Sequence, residues 1–146
     1  MDALKPFLDR SDKGVFVLCR TSNEGAGEFQ DLTDAGRTLY ERVAENVANT
    51  WNLHGNCGLV VGSTHATELS RVRAIAPRVP VLLPGIGAQG GDLSAALEAG
   101  VDSMGSGIFV NASRSIIFAS ENDDFGAAAG AEARRLGIEI TKALAR

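Results

Sequence analysis

Four short apolar runs, separated by segments of helical periodicity, constrain the fold of this chain more than any other feature. The runs occupy residues 15–19, 58–61, 79–83 and 107–110; three of them are rich in valine and bounded by Gly, Pro, Ser or Asn. Such runs are typical of strands buried on both faces, as in parallel sheets. With a leading helix at about residues 2–9, the four strand–helix units predict an α/β fold with a parallel sheet.

Apolar residues three or four positions apart predict the helices between these strands. The stripes are Leu32, Ala35, Leu39, Val43, Val47 and Trp51; then Leu69, Val72, Ile75 and Ala76; and finally Phe125, Ala129, Ala133, Leu136, Ile140 and Leu144. Pro77 closes the second helix. Asp92 is expected to cap a helix over 93–99, with Gly100 at its end. The one long loop, residues 21–32, has a length that in compact domains usually indicates function.

Two architectures fit this alternation: a doubly wound parallel sheet with helices on both faces, or half of a (β/α)₈ barrel with all helices on one face. A helix with no strand before it is natural where a strand lies upstream. We therefore expect strands 5–8 of a barrel, as a single domain over residues 1–146, with the doubly wound sheet as the alternative. A half-barrel leaves inward faces and strand edges uncovered. This predicts a homo-oligomer whose interface includes Phe16, Leu18, Ile108 or Val110.

Composition excludes several classes of function. The net charge of −4 and pI of about 5.1 argue against a nucleic-acid or anionic membrane partner. No apolar run approaches the ~20 residues that a membrane span needs, and the first residues do not have the pattern of a signal peptide. Cys19 and Cys57 lie in or beside apolar runs, so we expect buried, reduced thiols and a cytoplasmic protein. Without CxxC, HExxH or a paired His–Cys cluster, no metal site is expected.

A glycine-rich segment follows the third strand, at residues 83–92, with the sequence Leu-Pro-Gly-Ile-Gly-Ala-Gln-Gly-Gly-Asp. Four glycines allow the backbone to adopt positive φ and to approach a ligand closely. Their amides, next to a helix N-terminus, suit an anion. The predicted phosphate loop therefore contains Gly85, Gly87, Gly90 and Gly91.

Two further polar segments follow strands. After the last strand, Arg114 is the one cation among small polar groups, and its guanidinium could hold a phosphate in bidentate fashion; an ion pair with Glu121 is the alternative. Barrels frequently build a phosphate site from the loops after strands 7 and 8, which would be these two loops. After the first strand, Ser22 and Asn23 could bind a heterocycle, or could only form a side-chain-stabilised turn.

Taken together, the segments at residues 14–23, 71–77, 83–92 and 111–116 resemble orotidine 5′-phosphate decarboxylase, in the branch found in actinobacteria and similar bacteria. Their order and spacing agree from about Asp2 to the end of the chain. The resemblance implies a homodimeric TIM barrel. It also implies conversion of orotidine monophosphate to uridine monophosphate, in pyrimidine biosynthesis, without a cofactor.

Position by position, the resemblance implies that Ser22 contacts the pyrimidine and that Pro84 lines the phosphate end of the site. It implies that Gln89 and Arg114 bind the 5′-phosphate together with the backbone amide of Ser113. The family holds its substrate through this phosphate, and such remote binding energy can keep the reacting ring in a strained, desolvated position.

The chain departs from the family in its catalytic groups. The family has an Asp-x-Lys-x-x-Asp motif on its third strand, with an earlier Asp and Lys, and its lysine protonates the developing carbanion. No such motif occurs here, so we expect no catalytic residue in this chain and the family's first four strands before Asp2. A non-catalytic phosphate- or nucleotide-binding half-barrel is the alternative. Another phosphate-binding barrel enzyme, such as those of tryptophan or histidine synthesis, is a third.

Overall fold

A four-stranded parallel sheet lies at the centre of the fold in the computed structural model, which describes residues 2–86 and 92–145. The strands are β1 (Val15–Arg20), β2 (Thr33–Asp34), β3 (Arg37–Thr38), β4 (Cys57–Val61), β5 (Val81–Pro84) and β6 (Ile108–Asn111). The helices are α1 (Lys5–Leu8), α2 (Gly27–Gln30), α3 (Leu39–Asn46), α4 (Ala66–Ile75), α5 (Leu93–Gly100), α6 (Arg114–Ile117) and α7 (Phe125–Leu144). A 3₁₀ turn at Glu24–Ala26 precedes α2, and a π-helical turn at Val47–Trp51 extends α3.

The central sheet confirms the predicted parallel α/β arrangement. Its strand order is β1-β4-β5-β6, and every neighbouring pair is parallel. All four predicted strands are present, with ends displaced by one or two residues. Strand order therefore follows chain order, without the reversal that marks a doubly wound sheet.

Helices cover one face of this sheet among the described residues. Leu59 and Leu83 point towards the helices and are fully buried. On the opposite face, Phe16, Leu18 and Phe109 are exposed to 43%, 58% and 56%. One-sided coverage differs from the doubly wound alternative, in which helices pack on both faces.

The uncovered face is concave. The rings of Phe16 on β1 and Phe109 on β6 meet edge to face, with centroids 5.8 Å apart, although these strands form opposite edges of the sheet. Three strand spacings in a flat sheet would separate them by about 14 Å. Gly58, between them on β4, makes the contact possible, because a Cβ there would overlap the Phe16 ring.

The expected interface residues on β6 were assigned to the wrong face. Ile108 and Val110 are half-buried and pack against the helix-side core, whereas Phe109 lies on the uncovered face. Ile108 contacts α5 at Gly100, where a Cβ would overlap the Ile108 side chain. This close approach fixes which alternate residues of β6 face the helices. The apolar patch on the concave face is therefore Phe16, Leu18 and Phe109.

The first long helix starts later than its apolar stripe suggested. Strands β2 and β3 form an antiparallel hairpin, and its two-residue turn has positive φ at Ala35 (48°) and Gly36 (77°). This is the backbone of a tight hairpin turn, so Leu32 and Ala35 do not belong to the helix. Thr38 then starts α3 with a capping box, in which its side chain and that of Glu41 each accept the other's backbone N–H.

Several smaller predictions hold. Asp92 caps α5, accepting a hydrogen bond from the Ala95 amide at 3.1 Å. Cys19 and Cys57 are both free and buried, and burial raises the pKa of the Cys19 thiol to about 12. Gly100 is the last residue of α5 rather than a residue beyond it. Among the described helices, none combines the length and apolarity that a membrane span requires.

Arg73, on α4, joins several elements at the end of the sheet where its strands begin. The guanidinium is buried and donates hydrogen bonds to five backbone carbonyls. Their oxygens belong to Ala76 (3.2 Å), Pro77 (3.3 Å), Val79 (2.8 Å), Gly100 (2.7 Å) and Gly107 (3.0 Å). Burial lowers the pKa of Arg73, while the nearby Asp102 carboxylate opposes that shift. One side chain thus links the ends of α4 and α5 to the starts of β5 and β6.

We predict that Arg73→Ala lowers the free energy of unfolding by about 3 kcal/mol or more, because it leaves several buried carbonyls without a donor. Arg78→Ala is the matched control, since Arg78 is an exposed arginine a few residues further along the chain and its loss is expected to change stability by about 0.5 kcal/mol at most. Urea denaturation followed by circular dichroism measures both. Equal stability of the two variants would contradict the structural role of Arg73.

Candidate functional site

The segments that follow β1, β4 and β5 are joined by backbone hydrogen bonds at the end of the sheet where the strands finish. The Gly62 amide donates to the Arg20 carbonyl at 2.8 Å, and the Ser63 amide donates to the Pro84 carbonyl at 3.0 Å. In parallel α/β folds, ligands bind at this carboxyl edge of the strands. The residue pair Gly62–Ser63 therefore lies between the two polar segments predicted to carry binding groups.

Ser22 packs directly against the backbone at Gly62. A Cβ built on Gly62 would lie 2.7 Å from the Ser22 Cβ and 3.0 Å from its amide nitrogen, closer than side chains pack. The half-buried Ser22 is thereby held at the end of β4. Asn23 is exposed; its carbonyl accepts a hydrogen bond from the Ala26 amide, but its side chain does not cap the following 3₁₀ turn.

The loop after β1 is not structureless, as its sequence had suggested. It contains the 3₁₀ turn and α2, and the Gln30 side chain connects its end to its beginning. Gln30 Oε1 accepts hydrogen bonds from the Thr21 amide (2.9 Å) and from Arg20 Nη1 (3.1 Å), while Gln30 Nε2 donates to Thr21 Oγ1 (3.2 Å). Asp31 adds an ion pair to Arg20 Nη2 at 3.2 Å.

The glycine-rich segment is described only at its two ends. Gly85 follows β5 with φ of +98°, a conformation that favours glycine, and Ile86 is buried. Gly87, Gln89, Gly90 and Gly91 lie outside the described residues, so their binding roles stay predictions.

The segment after β6 begins beside β5, because Asn111 pairs with Pro84 in the register of the sheet. Ser113 precedes α6, and its carbonyl accepts a hydrogen bond from the Ile117 amide at 2.8 Å. Arg114 is the exposed first residue of α6. Its carbonyl accepts a hydrogen bond from the Phe118 amide at 3.0 Å. Its guanidinium forms no ion pair or hydrogen bond with any other residue that the structure describes, so the alternative pairing with Glu121 is not formed.

None of the segments that follow β1, β4, β5 and β6 contains a lysine, the usual proton donor for a developing carbanion in the related family. The chain has three lysines: Lys5 and Lys13 precede β1 and pair with Asp9 and Asp12, and Lys142 lies in the last turn of α7. Within residues 2–86 and 92–145, no cluster of three or more His, Cys, Asp or Glu side chains could hold a metal ion. The described part of the edge therefore offers hydrogen-bonding groups and a cation, without an acid–base array.

Sequence reasoning missed Gln30 and Gly62 as parts of this site. Gly62 had a usable signal, since a glycine directly after a buried strand indicates close approach of another backbone. Gln30 had none, because its partners lie nine and ten positions away and meet it only when the loop has folded.

Comparison with known proteins gives a consistent result. The family model for "Orotidine 5′-phosphate decarboxylase / HUMPS family" matches residues 1–129. Orotidine 5′-phosphate decarboxylase of Azoarcus sp. (strain BH72) is 52% identical over 132 residues, which are 90% of this chain and 49% of the relative. The namesake from Janthinobacterium sp. (strain Marseille) is 46% identical over 145 residues, covering 99% of this chain and 52% of the relative. The chain thus spans about half the length of the curated relatives that it matches.

Solved structures agree with these relatives. Leishmania donovani UMP synthase superposes with a TM-score of 0.87 at 48% identity, covering 98% of this chain and 31% of that chain. Leishmania donovani OMP decarboxylase superposes with a TM-score of 0.84 at 43% identity, covering 99% and 53%. Because the family model matches most of the chain and the relatives share its fold at high identity, the chain belongs to the orotidine 5′-phosphate decarboxylase / HUMPS family.

Proposed function

We propose that this chain is the phosphate- and pyrimidine-binding portion of an orotidine 5′-phosphate decarboxylase, the carboxy-lyase that converts orotidine monophosphate to uridine monophosphate and CO₂ in pyrimidine biosynthesis. One observation carries the proposal: backbone hydrogen bonds and strand register bring the segments after β1, β5 and β6 to one edge of the sheet. These are the segments of Ser22, Pro84 and Arg114. Family membership supplies the substrate class.

We further propose that β1, β4, β5 and β6 are strands 5–8 of a TIM barrel, so that the chain is a C-terminal half-barrel. Sequential strand order, helices on one face and a concave opposite face support this assignment. The relatives, about twice as long as this chain, have room for the other four strands. The similarity to the actinobacterial-type branch rests on the motif segments and is part of the same proposal.

In this proposal the phosphate binds between the loops after β5 and β6. Arg114 is exposed and has no competing partner in the described part of the chain, so its guanidinium is available for a bidentate phosphate contact. The Ser113 amide and the glycine-rich segment supply N–H donors, and Gly85 already has the positive φ that such a loop uses. Gln89 completes the set by family resemblance.

The pyrimidine would lie next to the segment after β1. Ser22 and Asn23 supply hydrogen-bonding groups there, and the Pro84 ring supplies an apolar surface across Gly62–Ser63. Such a division suits a nucleotide, in which one end needs charge and the other needs shape and hydrogen bonds. We propose no cofactor, metal or nucleic acid as a partner. Buried free thiols support a reducing, cytoplasmic location.

The chemistry itself needs groups that this sequence lacks. Decarboxylation passes through a developing carbanion, which needs a proton donor and a charge array to stabilise it. None of the three lysines of the chain belongs to the segments that form the proposed site, and the Asp-x-Lys-x-x-Asp motif is absent. This favours a binding role for the chain taken alone. A non-catalytic nucleotide-binding half-barrel is therefore the second candidate function.

Removing the phosphate contact is the direct test of the site. Arg114→Ala should weaken binding of uridine monophosphate by about 1.5–3 kcal/mol, because it removes a charge-assisted bidentate pair. Arg134→Ala, an exposed arginine on α7, is the matched control and should not change affinity. Isothermal titration calorimetry measures both. Equal binding of uridine and uridine monophosphate by the parent chain would contradict the phosphate site.

The two candidate functions differ in a complementation experiment. We expect the isolated chain to give no measurable loss of orotidine monophosphate absorbance, because it supplies no proton donor at the site. Mixing with a purified N-terminal half of the Azoarcus relative should restore turnover if the chain is a decarboxylase portion, and Arg114→Ala should abolish the restored rate. Turnover by the chain alone that survives Arg114→Ala would indicate a contaminating host enzyme. Failure of every mixture would favour the non-catalytic candidate.

We propose that the isolated chain is a homo-oligomer that covers the concave patch Phe16, Leu18 and Phe109. An apolar surface of this kind next to two open strand edges is not stable in water as a monomer. Sedimentation equilibrium at low micromolar concentration should give a mass well above 15.2 kDa. Phe109→Ser should shift the mass towards the monomer, whereas Phe29→Ser, which alters an exposed phenylalanine on α2, should not. A folded monomer of the parent chain would contradict the proposal.

A further inference from the structure

Arg20, the last residue of β1, is an unusual component of this fold because it is a buried cation that does not face the proposed ligand. Only 4% of Arg20 is exposed. Its guanidinium lies 5.9 Å from the centroid of the Tyr40 ring, and Tyr40 belongs to the core on the helix side of the sheet. A shift in register between Leu18 and Arg20 accompanies this orientation.

The hydrogen-bond partners of the Arg20 guanidinium both come from the end of the loop that follows β1. Nη1 donates to Gln30 at 3.1 Å, and Nη2 pairs with Asp31 at 3.2 Å. The third nitrogen of the guanidinium, Nε, is buried and has no hydrogen-bond partner. A buried charge with an unsatisfied donor contributes little net stability. The two contacts join the end of the loop to the last residue of β1.

Gln30, at the end of the loop, also contacts Thr21, the residue directly before Ser22. Its Oε1 accepts from the Thr21 amide at 2.9 Å, and its Nε2 donates to Thr21 Oγ1 at 3.2 Å. Thr21 is thus held at both its backbone and its side chain by one amide group. The next residue, Ser22, is in turn packed against Gly62.

We propose that Arg20 and Gln30 are positioning residues, which fix the Ser22–Asn23 segment before the ligand arrives and thereby set selectivity for the pyrimidine base. This inference rests on the proposed function. Pre-organised groups bind more tightly because no ordering cost remains at the moment of binding. Within residues 2–86 and 92–145, the segments after β5 and β6 form no hydrogen bond with Arg20, Thr21 or Gln30. Its loss should therefore affect recognition of the base and not of the phosphate.

The test compares two ligands on the full chain: uridine monophosphate and ribose 5-phosphate, which lacks the base. Gln30→Met keeps the size of the side chain and removes its hydrogen bonds to Thr21 and Arg20. We expect about a tenfold loss of affinity for uridine monophosphate, as for loss of a net 1.4 kcal/mol, with ribose 5-phosphate unchanged within about twofold. Gln30→Glu keeps an acceptor for Thr21 and Arg20, and should retain affinity within about threefold.

Two further variants keep the test decisive. Thr21→Val removes the hydroxyl partner from the other side of the contact, and it provides the same comparison if Gln30→Met does not fold. Glu28→Ala, an exposed change on the same helix, is the control and should affect neither ligand. Parallel losses for both ligands, or no loss, in Gln30→Met and Thr21→Val would overturn the positioning role. A parent chain that does not prefer uridine monophosphate would overturn the proposed function, and the positioning role with it.

Discussion

Parallel pairing of four strands in chain order is the constraint on which the rest of this structure depends. It brings all four C-terminal strand ends to one edge, and it directs every connecting helix to one face. The curvature that accompanies this arrangement lets Phe16 and Phe109 touch across the sheet, at a position where β4 has a glycine. The same pairing thus determines where binding groups gather and which apolar face stays uncovered.

The end of the sheet where the strands begin and the end where they finish have different chemistry. At the end where the strands begin, the Arg73 guanidinium donates hydrogen bonds to five backbone carbonyls and joins two helix ends to two strand starts. At the end where the strands finish, the following segments meet, and the Arg114 guanidinium is exposed without a partner in the described part of the chain. This division is typical of barrel enzymes, in which one end contributes stability and the other contributes function. Both arginines occur in motif segments, but burial distinguishes their roles.

This chain shares some segments with its relatives and lacks others. It has about half their length and contains the segments proposed to bind phosphate and pyrimidine, but it lacks the lysine-containing motif. In the proposed function, binding energy and reaction chemistry come from different parts of the family's sequence. In the half-barrel proposal, the uncovered apolar face and the open strand edges are where further strands would pack.

Sequence alone determined the fold class, the four central strands, the last helix and the Asp92 cap, because these depend on local periodicity and on the chemistry of single residues. It also predicted which strand-end segments carry binding groups. Tertiary structure decided the rest. Positive φ at Ala35 and Gly36 forms a hairpin where a helix start was predicted. Close packing at Gly100 fixes the face of the sheet on which Phe109 lies. Hydrogen bonds from Gln30 order a loop that the sequence predicted to be without structure. Each of these outcomes depends on contacts between distant residues, or on turn geometry that an apolar stripe does not encode, so periodicity could not predict them.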